Sequence, residues 1–276
     1  MINFTKGVDV ANIYKDEKFV TSLKILQTFD THVDRIKHSR KDPRLSITDN
    51  IFMCPDDFKM RLSPSHDKDQ NMRIVVIGPS GSGKSTWVKN YILDYKKKYP
   101  RRDCFLFSKH EADPSIDSAK PFRVKITEAE VAASLTSKTA LFDITSLSNS
   151  LVVFDDTYSA SSKLLVNFWD RLATDLAQNG RKLGIDLIFV LHNTDHSRTR
   201  FLMSESTHYV LFLRSGATAM YERILGSYLG IKDPKITDKL FELPTRYCVF
   251  SNISPIYILT EDMCFDYKFL KTLSNR

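Results

Sequence analysis

Gly78-Pro79-Ser80-Gly81-Ser82-Gly83-Lys84-Ser85 follows Arg73-Ile74-Val75-Val76-Ile77 and runs into Thr86-Trp87-Val88-Lys89-Asn90-Tyr91-Ile92. The octapeptide satisfies G-x-x-x-x-G-K-[ST] at every fixed position. The β-branched run before it reads as a strand. Trp87, Val88, Tyr91, Ile92 and Tyr95 after it recur at helical spacing. A strand, a glycine-rich turn and a helix in that order form a phosphate cradle. The glycines let the backbone curl so that successive N–H groups point at phosphate oxygens. Lys84 supplies a point charge for the β- and γ-phosphates, the Ser85 hydroxyl is a hard oxygen ligand for Mg²⁺, and Thr86 lies just beyond. The helix directs its positive end at the same anion. ATP with Mg²⁺ is the expected ligand.

Such a cradle needs a second element to hold the metal and activate water. Leu151-Val152-Val153-Phe154-Asp155-Asp156 is an apolar strand ending in two carboxylates. Asp155 is expected to hold Mg²⁺ together with Ser85, and Asp156 to orient or deprotonate the attacking water. Gln178-Asn179-Gly180-Arg181-Lys182-Leu183-Gly184-Ile185 then leads into the apolar run 187–191, which ends in His192-Asn193. His192 or Asn193, at the end of that strand, is expected to contact the γ-phosphate or the water. Arg181, Arg198 and Arg200 are candidates for a guanidinium that reaches a neighbouring subunit's γ-phosphate.

Outward from these motifs, the apolar runs 73–77, 103–107, 151–154, 187–191 and 209–213 alternate with helical stretches. That alternation predicts an α/β fold, a mostly parallel central sheet flanked by helices. Helices are expected after Lys84, from Thr127 (a Thr127-x-x-Glu130 capping box), over 161–179 with Gly180 ending it, and over 217–229. The runs 247–250 and 257–259 read as a hairpin or two edge strands. Residues 1–70 are read as a partly helical N-terminal extension, with 16–37 as the helix because Phe19, Leu23, Leu26, Phe29 and Val33 share a face. Residues 71–276 are read as the nucleotide-binding domain. Trp87 and Trp169 are read as core.

The chain has 276 residues, 42% hydrophobic and 26% charged, which excludes wholesale disorder. No stretch reaches the ~18 apolar residues of a membrane span, and the first 20 residues carry no apolar signal core. Cys54, Cys104, Cys248 and Cys264 are widely separated and form no C-x-x-C pair, so they read as reduced thiols of an intracellular protein. The net charge is +7, with 12 Lys/Arg against 11 Asp/Glu in residues 1–70, so the excess lies beyond. Such a balance favours an acidic partner, nucleic acid first. The cluster Lys89, Lys96, Lys97, Lys98, Arg101 and Arg102 and the segment 196–200 are the basic candidates. Lys96–Lys98 read chiefly as a solvated helix end, and 194–200 as a moving loop.

The P-loop, the Val-Val-Phe-Asp-Asp strand end, the Gly180-Arg181-Lys182-Leu183-Gly184-Ile185 segment and Thr207-His208-Tyr209-Val210-Leu211-Phe212, in that order, resemble the FtsK/HerA superfamily. Within it they are most similar to the poxvirus-type genome-packaging ATPases of large DNA viruses and virophages. The resemblance covers about residues 72–215. It implies an additional-strand, RecA/FtsK-like P-loop NTPase. Lys84 and Ser85 stand at the Walker A positions, Asp155 and Asp156 at the Walker B positions, and His192 where the family usually has glutamine. It further implies ATP hydrolysis between subunits of a pentameric or hexameric homo-oligomeric ring that drives double-stranded DNA, irrespective of sequence, into a preformed capsid. A capsid-vertex or portal-like protein is the implied partner, and the host cytoplasm (the viral factory) and the virion the implied locations. Two other readings stay open on the residues alone: a nucleotide-gated structural or docking protein, and a P-loop nucleotide kinase.

Overall fold

The computed structural model describes residues 2–26, 42, 44–48, 51–65, 71–137, 141–159, 162–192, 194, 197–215, 218–266 and 269–270. Contacts gather these into two compact units, one of residues 66–206 and one of 1–65 with 207–276. The cut therefore falls elsewhere than at residue 70, because the last 70 residues pack with the first 65.

The described residues of the N-terminal segment form strands, and none of them is helical. Strands β1 (Ile2–Asn3), β2 (Val8–Lys15), β3 (Lys18–Ile25) and β6 (Phe58–Leu62) form an antiparallel sheet in the order β1-β3-β2-β6. Along β3, Thr21, Leu23 and Ile25 are buried while Ser22 and Lys24 are not, which is a period of two. Phe19 and Leu23 fit that period as well as a helical one, so the apolar pattern of residues 16–26 does not distinguish the two. The reversal between β2 and β3 uses Asp16 (φ 48°) and Glu17 (φ 60°), both left-handed. Two-residue hairpin turns of this kind normally advertise themselves with Asn-Gly or Asp-Gly. The rest of the expected helix, 27–37, lies outside the described residues.

The same unit holds short strands β4 (Ile47–Thr48) and β5 (Ile51–Met53). They join the later strands β12 (His208–Leu211), β13 (Cys248–Ser251), β14 (Tyr257–Leu259) and β15 (Met263–Asp266) in the antiparallel order β12-β13-β14-β15-β5-β4. β13 and β14 thus form the expected hairpin, inside the sheet. Helices Thr218–Tyr228 and Pro234–Glu242 lie between β12 and β13. The expected strand 209–213 stops at Leu211, and Leu213–Ser215 turns into a 3₁₀ helix.

His208 is 4% exposed, with Nδ1 3.0 Å from the Thr207 hydroxyl and Nε2 3.1 Å from the Tyr257 hydroxyl. Burial holds its pKa down to about 3, so the ring is neutral in the folded state. An unfolded chain regains the ordinary value near 6.5. The folded protein thus has this contribution in full above about pH 6.5 and loses it as the pH falls towards 3. At ~1.4 kcal/mol per pH unit, unfolding free energy is expected to drop by about 2–3 kcal/mol between pH 6.5 and 4.5. Urea denaturation across that range should show the drop, and His208→Gln should flatten it. An equal slope in the variant excludes His208 as the source.

Unit 66–206 carries a parallel sheet of β7 (Arg73–Ile77), β8 (Cys104–Ser108), β9 (Phe122–Val124), β10 (Leu151–Asp155) and β11 (Asp186–Leu191), of which all but β9 are predicted from sequence. Their order is β7-β11-β10-β8-β9, every neighbouring pair parallel. α1 (Lys84–Lys98) connects β7 to β8, α2 (Pro114–Asp117) connects β8 to β9, and α3 (Glu128–Ser137) connects β9 to β10. α4 (Lys163–Asn179) connects β10 to β11, and α5 (Ser197–Glu205) follows β11. Helices on the connections bury the strands, so β10 and β11 are buried at every residue.

The core is aromatic where β8, β10 and β11 meet. Phe107, Phe154 and Phe189 are register partners and stack with centroids 5.3 and 5.4 Å apart. Trp169 of α4 meets Phe107 at 5.5 Å, and Trp87 stacks on Tyr91 at 5.4 Å, so both tryptophans are core, as expected. The capping box forms: the Thr127 N–H donates to Glu130 Oε2 at 2.7 Å and the Glu130 N–H to Thr127 Oγ1 at 3.3 Å. Gly180 does not end its helix in a left-handed turn; its φ is −58° and the chain tightens into the 3₁₀ turn Gly180–Leu183. Gly184, at φ 69°, makes the reversal. A Cβ there would lie 2.7 Å from Asn149 Oδ1, a side-chain end that can shift, so it is the left-handed backbone that calls for glycine.

Candidate nucleotide site

The register of the parallel sheet assembles the site. Ile77 pairs with Leu191, Val190 with Asp155, and Asp155 with Ser108. Four strands therefore end at one rim, and the residues that follow them there are Gly78, His192, Asp156 and Lys109. The acid-bearing strand β10 is not adjacent to the P-loop strand β7, because β11 lies between them. This is the additional-strand arrangement expected from the sequence.

A cleft of about 350 Å³ opens at this rim. Its lining includes Ser80, Gly81, Gly83, Lys84, Ser85 and Thr86 from the loop and α1, and Asp155, Asp156 and His192 from the strand ends. His110, Asp113 and Ser115 complete it. The loop curls through Gly81 (φ 76°) and Gly83 (φ 107°), conformations that side-chain-bearing residues seldom adopt. Gly83 is also the N-cap of α1, which has no acidic residue in its first turn, so the helix's positive end is uncompensated.

Lys84 is only 6% exposed. Its Nζ donates to the Gly78 and Pro79 carbonyls at 2.7 and 2.8 Å and lies 3.2 Å from His192 Nδ1. Burial pulls its pKa below the ordinary lysine value, while Asp155 and Asp156 act the other way. Asp155, also 6% exposed, accepts a hydrogen bond from Ser108 Oγ at 3.1 Å. Burial pushes its carboxyl up, and Asp113 and Asp156 add to the shift. A buried acid in that condition is suited to a cation. The donor set fits Mg²⁺: a hydroxyl (Ser85) and a carboxylate (Asp155) lining one phosphate-sized cleft are the hard oxygen ligands it prefers. No cluster of three or more His, Cys, Asp and Glu suited to a metal occurs among the described residues.

Asp156 sits in the left-handed region at φ 54°, a strain of about 1–3 kcal/mol for a residue with a Cβ. Lys109 Nζ is 2.7 Å from its Oδ2, His110 Nε2 3.4 Å from the same oxygen, and His192 Nε2 3.7 Å from its Oδ1. His192 thereby lies between Lys84 and Asp156. An ammonium has only hydrogens to give, so Nδ1 accepts and the proton of the neutral ring lies on Nε2, towards Asp156. Burial and the Lys84 charge both push the His192 pKa down, which favours this neutral ring.

Among the residues proposed from sequence, the cleft gathers Lys84, Ser85, Thr86, Asp155, Asp156 and His192. Asn193 lies outside the described residues. Arg181 is exposed in the 3₁₀ turn before β11, at the end of the sheet opposite the cleft, near Arg73. It cannot serve its own cleft. Arg200 is exposed in the first turns of α5. The segment read as a loop, 194–200, is helical from Ser197, with the Thr199 hydroxyl donating to the Thr194 carbonyl at 3.1 Å. Lys96 donates from Nζ to the Ala119 carbonyl at 3.0 Å and to the Lys120 carbonyl, in keeping with a structural helix end. Sequence reasoning missed Ser108, Lys109, His110 and Asp113. Their one signal was position, at the end of an apolar run of the parallel set or just after it.

No protein-family model matches the chain. An uncharacterized protein, V3, of the Sputnik virophage is 29% identical over 192 residues, which is 68% of this chain and 74% of that protein. The fold is similar to that of the genome packaging NTPase B204 of Sulfolobus turreted icosahedral virus 2, solved with AMPPCP. The TM-score is 0.45 at 13% identity, over 71% of this chain and 98% of B204. The pCW3 conjugation coupling protein TcpA, solved with ATPγS, is similar with a TM-score of 0.47 at 12% identity, over 98% of this chain and 82% of TcpA.

Proposed function

We propose that the chain is an ATPase of the FtsK/HerA type that moves double-stranded DNA, and that its task is packaging a viral genome into a preformed capsid. One observation carries the reading: Lys84 and Ser85 share a single cleft with Asp155 and Asp156, one inserted strand apart. The order of the four sequence segments and the net charge of +7 support it.

In this reading Lys84 leaves the loop carbonyls for the β- and γ-phosphates, exchanging weak stand-ins for an anion. Ser85 and Asp155 would hold Mg²⁺, which would supply charge neutralisation at the phosphates. Asp156 Oδ1 orients a water and takes its proton as the water oxygen bonds to the γ-phosphorus and the bond to the ADP oxygen breaks. His192 loses its Lys84 contact when nucleotide arrives, so it reports occupancy to Asp156. A trans guanidinium from Arg181, Arg198 or Arg200 completes the site in a pentameric or hexameric ring. Arg181, far from its own cleft, suits that role. Basic residues of 196–200 grip phosphates irrespective of sequence. A capsid-vertex or portal-like protein is the docking partner.

The test is ATP turnover per chain against protein concentration, with and without duplex DNA. Turnover should rise with concentration as interface sites form, and rise further with DNA. Turnover independent of both overturns the motor reading; tight ATP binding with no turnover leaves a nucleotide-gated docking protein.

A further inference from the structure

We propose that Lys109 is a positioning residue for Asp156: it holds Oδ2 from beside the cleft, so that Oδ1 is the oxygen presented to the reacting water. The proposal rests on the ATPase reading above.

The placement follows from strand register. Ser108 is the partner of Asp155, so the residues one step further, Lys109 and Asp156, leave neighbouring strands side by side. The ammonium meets Oδ2 at 2.7 Å, within the range of a charge-assisted hydrogen bond. The Asp156 side chain is 12% exposed and that of Lys109 26%, so water screens the pair only in part. Lys109 lies outside the lining of the cleft, whereas Asp156, His192 and His110 belong to it, so the cation that holds Oδ2 at 2.7 Å is not itself a cleft residue. The two carboxylate oxygens therefore face different surroundings. Oδ2 is turned to Lys109 and His110, and Oδ1 to His192, which touches Lys84. A carboxylate left to itself swings its plane about χ2, a broad torsion, so neither oxygen keeps a fixed direction. An ion pair on one oxygen stops that rotation. It also supports a residue whose left-handed backbone is unfavourable. With Asp155 and Asp156 adjacent, Lys109 further offsets the second negative charge that a triphosphate would meet.

Three variants test this: Lys109→Met, Lys109→Arg and the double variant Lys109→Met/Asp156→Asn. Lys109→Met should lower kcat by about 10–100-fold, the loss typical of a misplaced reacting group, with the affinity for AMPPNP by calorimetry within about threefold. Lys109→Arg should recover most of the rate. The double variant should be no slower than Asp156→Asn alone, because both changes act through one carboxylate. Turnover by Lys109→Met within about twofold of the wild type overturns the proposal. So does a fall in AMPPNP affinity as large as the fall in kcat/KM, which would make Lys109 a phosphate ligand instead. A crystal structure of Lys109→Met without nucleotide probes the same role independently of turnover. The Asp156 carboxylate should have rotated, and finding it unmoved sinks the positioning role. A wild type with no ATPase activity, with or without DNA, removes the ATPase reading alone; the carboxylate's orientation in that crystal still decides whether Lys109 positions it.

Discussion

Asp156→Asn is expected to bind ATP with nearly unchanged affinity and to hydrolyse it about 10³-fold more slowly. The substitution keeps the shape of the side chain and removes its charge and basicity. Asn can still occupy the space between Lys109 and His192. It cannot take a proton from water, and general-base catalysis contributes typically about 10²–10⁴-fold. A 10³-fold loss is ~4 kcal/mol of barrier. Affinity should survive because the phosphates are held by the loop amides, Lys84 and Ser85, which belong to the loop and α1 rather than to β10. Single-turnover hydrolysis with calorimetric binding separates the two effects. Normal turnover in the variant removes Asp156 as the base. A melting temperature close to wild type is the control.

Lys84→Ala is expected to lose ATP affinity by at least about 10-fold and up to about 100-fold, on the scale of one charge-assisted hydrogen bond of ~1.5–3 kcal/mol. Turnover should fall further still, because charge on the transferring phosphoryl group is stabilised by the same ammonium. The nucleotide-free fold should hardly notice. Lys84 is buried and its ammonium is disfavoured there, so its two carbonyl contacts offset a desolvation penalty rather than add net stability. Stability within about 1 kcal/mol of wild type is the expected result for a group held ready for a ligand. Equal loss of fold and of binding in urea titration and calorimetry would mean that Lys84 is structural and that the cleft is not its purpose.

The strands of unit 66–206 are legible in the sequence because continuous apolar runs need no partner to be recognised, and each of 73–77, 151–154 and 187–191 lies inside an observed strand. The phosphate cradle is legible for a related reason. Gly81 and Gly83 impose the curl locally, and Lys84 and Ser85 sit on the turn itself. The β2–β3 hairpin is not legible, because Asp16 and Glu17 adopt left-handed conformations without the glycine or asparagine that signals them. Gly180 has the composition of a helix end, yet Gly184, four residues on, makes the reversal. Composition does not tell the two glycines apart; the left-handed backbone of Gly184 does.

The order of residues alone is enough to reveal the phosphate-binding turn, the acid pair at the end of an apolar strand, and the parallel α/β pattern around them. These depend on backbone conformation and burial within a few residues, and the amino-acid order states both directly. Folding, and not residue order, sets the company Asp156 keeps: Lys109 and His110 just after β8, and His192 just after β11. Those side chains meet because β8 and β11 flank β10 in a particular register. Strand order and register are fixed by packing between segments tens of residues apart, a long-range energy that no local pattern encodes.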